Sequence, residues 1–228
     1  MHQTNRMPLV PHRLRSALRW EGVLAARLLL QRLSPRYHRT LRDWRRRKDV
    51  RLNLGCFQTR HPGWLNIDAV RTPAVDFICD IRRPVPLPAA CARYIFCEHV
   101  LEHLDYFDEV PRFLRECYRL LAPGGVLRVV VPDAAKYMEA CLAEDWDRSR
   151  QLRDLAKYGT LMEMVNDVFR QDGQHLFAYD ATTLRRVIEH AGFSNPTIKP
   201  CGVSDHEGLA IEQAWRAEES LHIEAVRP

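Results

Sequence analysis

From Val50 onward the apolar positions fall into short runs closed by a glycine or an acid. Val50–Leu54 ends in Gly55, and the run through Leu65–Ile67 ends in Asp68. Asp76–Asp80, Arg93–Glu98 and Val126–Val131, the last leading into Pro132-Asp133, close the same way. Such runs predict buried parallel strands whose carboxyl tips share one edge. Between them the spacing changes to a helical period. One helix is predicted from Asp108, because Pro111 is tolerated only in a first turn. It carries Phe113, Leu114, Cys117, Leu120 and Leu121 on one face and ends at Pro123-Gly124-Gly125. Further helices are predicted after Asp133 through Tyr137, Met138 and Cys141, from Ser149 to Phe169, and from Asp180 to Ala191, with Gly192 as the stop. Thr197–Lys199 and Leu221–Val226 read as two antiparallel edge strands. Ahead of the strands, Arg13–Leu33 and Tyr37–Lys48 read as helices separated by Ser34-Pro35, and residues 1–12 as a mobile lead-in.

The alternation predicts an α/β fold, with ligands at the carboxyl tips of the strands. One spacing strains that reading. Only eight residues separate Gly55 from Trp64, fewer than a parallel crossover usually needs. Either the crossover is reduced to a turn or two, or the two strands fold back as a hairpin and the strand-tip cleft is lost.

Charge divides the chain of 228 residues in two. Residues 1–48 hold 13 Lys and Arg against Glu21 and Asp43, whereas the rest is mildly acidic. We therefore divide the chain into a basic helical extension, 1–48, and a domain, 49–228. The extension has three readings: a helix packed on the domain, a basic amphipathic segment (residues 13–48) on an anionic membrane surface with Trp20 and the leucines dipping in, or a phosphate-binding arm. Nucleic acid has the least support, since no recognised nucleic-acid module accompanies the charge. The apolar stretch Val23–Leu30 is interrupted by Arg27, is too short to span a bilayer and is followed by no small-residue cleavage site. Seven cysteines without a Cys-x-x-Cys pair read as small core residues in a reducing compartment, and no metal site is expected.

Four blocks, Leu52-Asn-Leu-Gly-Cys56, Pro62-Gly-Trp-Leu-Asn-Ile-Asp68, Glu98-His-Val-Leu-Glu-His103 and Leu120 to Asp133, together resemble class I S-adenosylmethionine-dependent methyltransferases. The likeness is greatest to the branch found with bacterial glycan and lipopolysaccharide biosynthesis. It extends through Gly173–Asp180 and Ala191-Gly-Phe193, and covers residues 50–226. It implies a Rossmann-like, doubly wound, mostly parallel seven-stranded sheet with an antiparallel C-terminal edge strand. In that branch the Pro-Gly-Trp segment follows the first strand closely, so a short crossover is expected.

The resemblance also implies a site. Asn53, Gly55, Cys56, Asp68, Asp80, Ile81, Glu98 and His99 would bind S-adenosyl-L-methionine. Gly55 would touch the amino-acid portion, Asp68 the ribose hydroxyls and Asp80 the adenine amino group, with Ile81 against the ring. Glu98 and His99 would flank the methionine end. Each has a plainer alternative: Asp68 a turn acid, Asp80 a partner of Arg82 or Arg83, and one of the histidines a packing residue. His99, Asp133 and His175 are the candidate bases for a hydroxyl acceptor. Tyr137 and Tyr179 either line an acceptor pocket or fill core. Phe57 stands where the family usually has a second glycine, so its ring either crowds the cofactor or turns into the core.

These observations lead to a cytoplasmic methyltransferase, peripheral on the inner membrane face where the membrane reading of the extension holds, acting on a sugar or glycolipid precursor. The alternatives are a methyltransferase-like domain that binds a membrane or protein partner without transferring methyl groups, and a nucleic-acid methyltransferase.

Overall fold

The computed structural model describes residues 12–152, 154 and 156–228, with the backbone alone for 12–20. The expected lead-in before His12, and the expected role of the Trp20 side chain, lie outside the described residues. Seven strands form one sheet in the order β3-β2-β1-β4-β5-β7-β6. Their ranges are β1 Val50–Leu54, β2 Leu65–Asp68, β3 Phe77–Ile78, β4 Ala92–Glu98, β5 Leu121–Pro132, β6 Ser194–Lys199 and β7 Ser220–Val226. Strands β1 to β5 pair in parallel, and β7 runs against both β5 and β6. The Rossmann-like order is thus present, with the antiparallel pairing confined to the C-terminal end of the sheet. The order reverses between β1 and β4, so the switch point opens at Gly55 and Glu98.

The short crossover is parallel: Leu52 pairs with Leu65 and Leu54 with Ile67. Side-chain amides make this geometry possible. Asn66, fully buried on β2, accepts the His61 N–H at 2.9 Å and donates to the Trp64 carbonyl at 3.0 Å and to Asp76 Oδ2 at 2.9 Å. Asn53 on β1 donates to Asn66 Oδ1 at 3.0 Å and to the Thr59 carbonyl at 3.1 Å. Loop polar groups that a helix would satisfy internally are therefore satisfied by two buried amides and one carboxylate.

Seven helices are described: α1 His12–Arg32, α2 Pro35–Arg45, α3 Glu109–Leu120, α4 Ala134–Leu142, α5 Trp146–Leu152, α6 Leu161–Arg170 and α7 Ala181–His190. The strand alternation sends Ile95, Cys97, Leu127 and Val129 to one face of the sheet, where α2, α3 and α7 bury Leu41, Phe113, Leu114, Leu184 and Ile188. The opposite face carries Tyr94, Phe96, Val126 and Val130, and is covered by Trp64, Leu209 and Ile211 from loops. Helices α4, α5 and α6 make a separate cluster around Tyr137, Leu152 and Met164. The basic helices lie against the domain. Gln31 exchanges two hydrogen bonds with the Ile78 backbone, Tyr37 stacks on Phe77, and Glu21 pairs with Arg82.

Three expectations need correction. The helix expected from Ser149 to Phe169 is two, because Thr160 and Glu163 form a capping box that starts a new helix. The strand expected over Asp76–Asp80 is only Phe77–Ile78, since Asp76 is committed to Asn66 and Arg60. Pro123-Gly124-Gly125 does not terminate α3. It lies within β5, which starts at Leu121.

If the buried amides hold the crossover, Asn66→Leu should lower unfolding free energy by about 3 kcal/mol in urea titration, through stranded loop donors and acceptors. A loss below about 1 kcal/mol would show that the loop is held by other contacts.

Candidate active site

At the tip of β1 the chain turns sharply. Gly55 has φ +76° and sits so close to the turn after β4 that an added Cβ would lie 2.3 Å from Val100 Cγ2. Its N–H and that of Cys56 both reach the Ile67 carbonyl. Phe57 follows at φ +40°, a backbone setting glycine adopts freely and phenylalanine does not. Its ring is 52% exposed, so it does not turn into the core. The Phe57 N–H donates to Asp68 Oδ2 at 2.8 Å, and the Val70 N–H donates to Oδ1 at 2.7 Å. Asp68 is thus buried at the tip of β2 with one backbone donor on each oxygen, leaving acceptor capacity on both.

Asp80 is placed otherwise. Arg82 grips it through Nε at 2.8 Å and Nη2 at 2.9 Å, its own N–H adds 3.1 Å, and Arg83 approaches at 3.5 Å. The salt bridge left open by the sequence is therefore formed. Asn53 is similarly engaged, its amide turned onto the crossover. Cys56 is buried, its thiol pushed up to about 12 by burial and by Asp68. Ile81 packs part-buried against the core.

At the tip of β4 stand Glu98 and His99, the latter at φ +52°. A single 3-10 turn, Leu101–His103, follows. His99 Nε2 lies 2.9 Å from Ser220 Oγ, and Arg216 Nη1 lies 2.9 Å from its Nδ1. Arg216 Nη1 also lies 3.1 Å from Nε2, and a guanidinium only donates, so the lone pair of the ring faces Arg216 whichever nitrogen carries it. Burial, then Arg216, pushes His99 down to about 2. That histidine is neutral and its lone pair is occupied, a poor starting point for a general base. Burial raises Glu98, against the Gln213 N–H that reaches it at 3.2 Å.

The segment 202–219 closes over this edge, and the reading of the sequence passed it by. Its anchor is Arg128, fully buried in the middle of β5. Arg128 holds Glu212 through both carboxylate oxygens, Glu224 at 2.6 Å and the Val203 carbonyl at 3.0 Å. With Glu212 fixed, the next residue delivers its N–H to Glu98 and its side-chain amide to Thr59 at 3.0 Å. Arg216 then reaches Glu219 at 2.8 Å and stacks on Trp215 with 4.0 Å to the ring centroid. The i,i+3 spacing of Arg216 and Glu219 was the available signal in the sequence.

Asp133 caps α4 by accepting the Ala135 N–H at 3.2 Å, and burial raises its carboxyl. Tyr137 and Tyr179 are both fully buried, with hydroxyls at 3.0 Å from Glu219 and 3.4 Å from the Leu101 carbonyl. Both fill core. His175 is buried beside His103, with ring centroids 4.8 Å apart. The structure therefore brings Gly55, Asp68, Glu98 and His99 to one edge, places Asp133 and His175 beyond β5 and β4, and spends Asp80 and Asn53 on neighbouring protein groups.

A family described as a methyltransferase domain matches residues 58–197, more than half of the chain. Among curated proteins none matches the chain in sequence. Among solved structures, it resembles a Thermotoga maritima methyltransferase described as a possible histamine N-methyltransferase. That likeness has 14% identity and a TM-score of 0.48, over 94% of this chain and 96% of that one. An S-adenosylmethionine-dependent methyltransferase from Mesorhizobium loti gives 14% and 0.46, over 82% and 95%. Haemonchus contortus phosphoethanolamine N-methyltransferase 2, solved with S-adenosyl-L-methionine, gives 13% and 0.45. The match there covers 80% of this chain and about half, 49%, of that longer protein. Likenesses this distant carry nothing about an acceptor.

Arg128→Met should destabilise the fold by about 3–5 kcal/mol, because it strands two buried carboxylates. The triple change Arg128→Met, Glu212→Leu, Glu224→Leu should recover most of that loss in the same denaturant titration. A single variant as stable as the parent would mean the anchor is not holding the segment.

Proposed function

The chain belongs to the methyltransferase-domain family, and from that premise we propose that it uses S-adenosylmethionine to methylate a hydroxyl of a sugar or glycolipid precursor. The observation that carries the site assignment is Asp68. It is a strand-tip carboxylate fixed by two backbone donors, next to a glycine turn at the switch point of a parallel sheet.

S-Adenosylmethionine, when bound, supplies a methyl group made electrophilic by its sulfonium. The residues present fit it in part. Asp68 keeps acceptor capacity for the two ribose hydroxyls, and Gly55 lets the turn beside it pack against Val100, whose Cγ2 fills the place of a side chain. Phe57 meets the family's glycine geometry by adopting positive φ, with its ring at the surface. Glu98 and His99 would border the methionine end, Glu98 contributing negative potential and His99 a neutral ring. Ile81 would lie against the adenine ring and Cys56 beside the turn. Asp80 fits less well, because its oxygens already face Arg82 and Arg83. Recognition of the adenine amino group would therefore fall to other groups unless Arg82 swings away. Transfer itself is chiefly a matter of holding acceptor oxygen, carbon and sulfur in line. His99 is a poor candidate among the proposed bases, because Arg216 faces its lone pair.

Support for a glycolipid acceptor comes from the resemblance to the glycan branch and from the extension. Among the described residues no helix is long and apolar enough to cross a membrane. Leu29, Leu30 and Leu33 are nevertheless 63%, 66% and 75% exposed at the end of α1, beside the arginines of α2. That combination suits contact with an anionic leaflet, on the cytoplasmic face where the proposed precursor would be met.

Isothermal titration should detect both S-adenosylmethionine and S-adenosylhomocysteine, and Asp68→Ala should weaken each by about 1–3 kcal/mol. No heat at high ligand concentration would favour a binding domain that has lost transfer, and unchanged affinity in the variant would remove Asp68 from the site. Vesicles containing anionic lipid should sediment the chain, and Leu29→Ser, Leu30→Ser, Leu33→Ser together should reduce the bound fraction. Equal sedimentation by the triple variant would dismiss that face as the contact.

A further inference from the structure

We propose that Glu102, His103 and His175 form a binding site for a divalent transition-metal ion of the zinc type. One donor atom from each of the three lies within 4.8 Å of the others. Zinc holds nitrogen and oxygen donors at about 2.0–2.2 Å, so modest side-chain rotations would close the three around one ion.

The Glu102 carboxylate is the strongest sign. Its side chain is 1% exposed, and neither oxygen accepts a hydrogen bond from any described residue. His99 Nδ1 comes to 3.3 Å of Oε1 without hydrogen-bond geometry. A buried carboxylate lacking donors is costly, and a cation is what such a group is built to meet.

The two histidines are oriented as ligands usually are. His103 Nδ1 lies 3.1 Å from the Gln174 carbonyl, and His175 Nδ1 lies 2.5 Å from the Val168 carbonyl. A carbonyl accepts only, so both Nδ1 atoms carry the proton and both Nε2 atoms carry the lone pair. A backbone carbonyl fixing the far side of the ring is the arrangement that orients metal-bound imidazoles. The backbone also fixes the distance between the ligand pair and the third ligand. The Glu102 carbonyl receives the N–H of Leu176 at 2.7 Å and of Phe177 at 3.3 Å, which ties residues 175–177 to the 3-10 turn.

Two imidazoles and one carboxylate suit zinc, iron, cobalt or manganese better than calcium or magnesium. Three protein ligands leave a position open, and Glu102 and His175 line a cavity with Pro132, Phe177 and Tyr179. The open position would face that cavity. A second grouping, Cys201, Glu212 and His222, is less suited, because Glu212 is already held by Arg128 and by the Gly202 N–H at 2.6 Å.

The site is tested on the full chain after removal of metal with EDTA and dialysis. Calorimetric titration with Zn²⁺ should give one ion per chain, and Co²⁺ should give a ligand-field spectrum without the charge-transfer band of a thiolate. Glu102→Gln, His103→Ala and His175→Ala should each weaken Zn²⁺ binding at least tenfold, while Cys201→Ser leaves it unchanged. The proposal is overturned if the parent chain binds no Zn²⁺, if the Co²⁺ spectrum shows thiolate ligation, or if the folded ligand variants bind as tightly as the parent. Circular dichroism reports which variants fold. Should none of the three fold, the parent stoichiometry and Co²⁺ spectrum, with Cys201→Ser as the control, decide the matter.

Discussion

The parallel register of β1 and β2 is the constraint on which the site depends. A parallel pair joined through so short a loop has no room for the helix that normally satisfies its own backbone. The chain meets this by placing Asn53 and Asn66 on adjacent strands and running their amides back onto the loop. Asp76 finishes the set and thereby fixes where β3 starts. Because side chains on a strand alternate, the same strands that bury Leu52 and Leu54 or Ile67 deliver Gly55 and Asp68 at their tips. An antiparallel pairing of these two runs would send one of those tips to the opposite end of the sheet.

A second constraint works from the other face. The sheet is covered by helices where Leu127 and Val129 point, and by loop where Arg128 points. Trp64, Leu209 and Ile211 give the loops an apolar contact there, and Arg128 adds a buried ionic anchor to it. Arg128 is flanked by Val126 and Val130 yet ends on Glu212, Glu224 and a carbonyl. Such an arrangement is a weak source of net stability but a strong source of position, since displacing any member strands the others. Its consequence is felt at the site edge, because Glu212 precedes the residue whose N–H meets Glu98.

The sequence made the edge of the sheet legible for a simple reason. Strand-end acids and a glycine are local marks, and the apolar runs before them need no partner to be recognised. The role of each polar side chain was not legible, because it depends on residues far away in the chain. Asn53 looked like a ligand residue and serves the crossover, which only its distance to Asn66 reveals. Asp80 is the exception, since its partners Arg82 and Arg83 are neighbours in the chain and the ion pair was one of its two readings. Arg128 sat unnoticed in an apolar run, since nothing near it names its partners. Likewise the pairing of Glu102 and His103 with His175 spans too many residues for a short metal-ligand motif to register.

The two positive φ values at non-glycine residues of this edge, Phe57 and His99, bear on how the edge works. Such backbone costs of order 1–3 kcal/mol and persists where surroundings fix it. At Phe57 the fixing contact is the N–H given to Asp68, so the strain is spent on orienting the carboxylate assigned to the ribose. At His99 it is the N–H given to the Val130 carbonyl at 2.8 Å, together with Ser220 and Arg216 on the ring. The strained turn therefore presents a histidine that is held on both nitrogens and kept neutral. A residue so held is poorly suited to accept a proton.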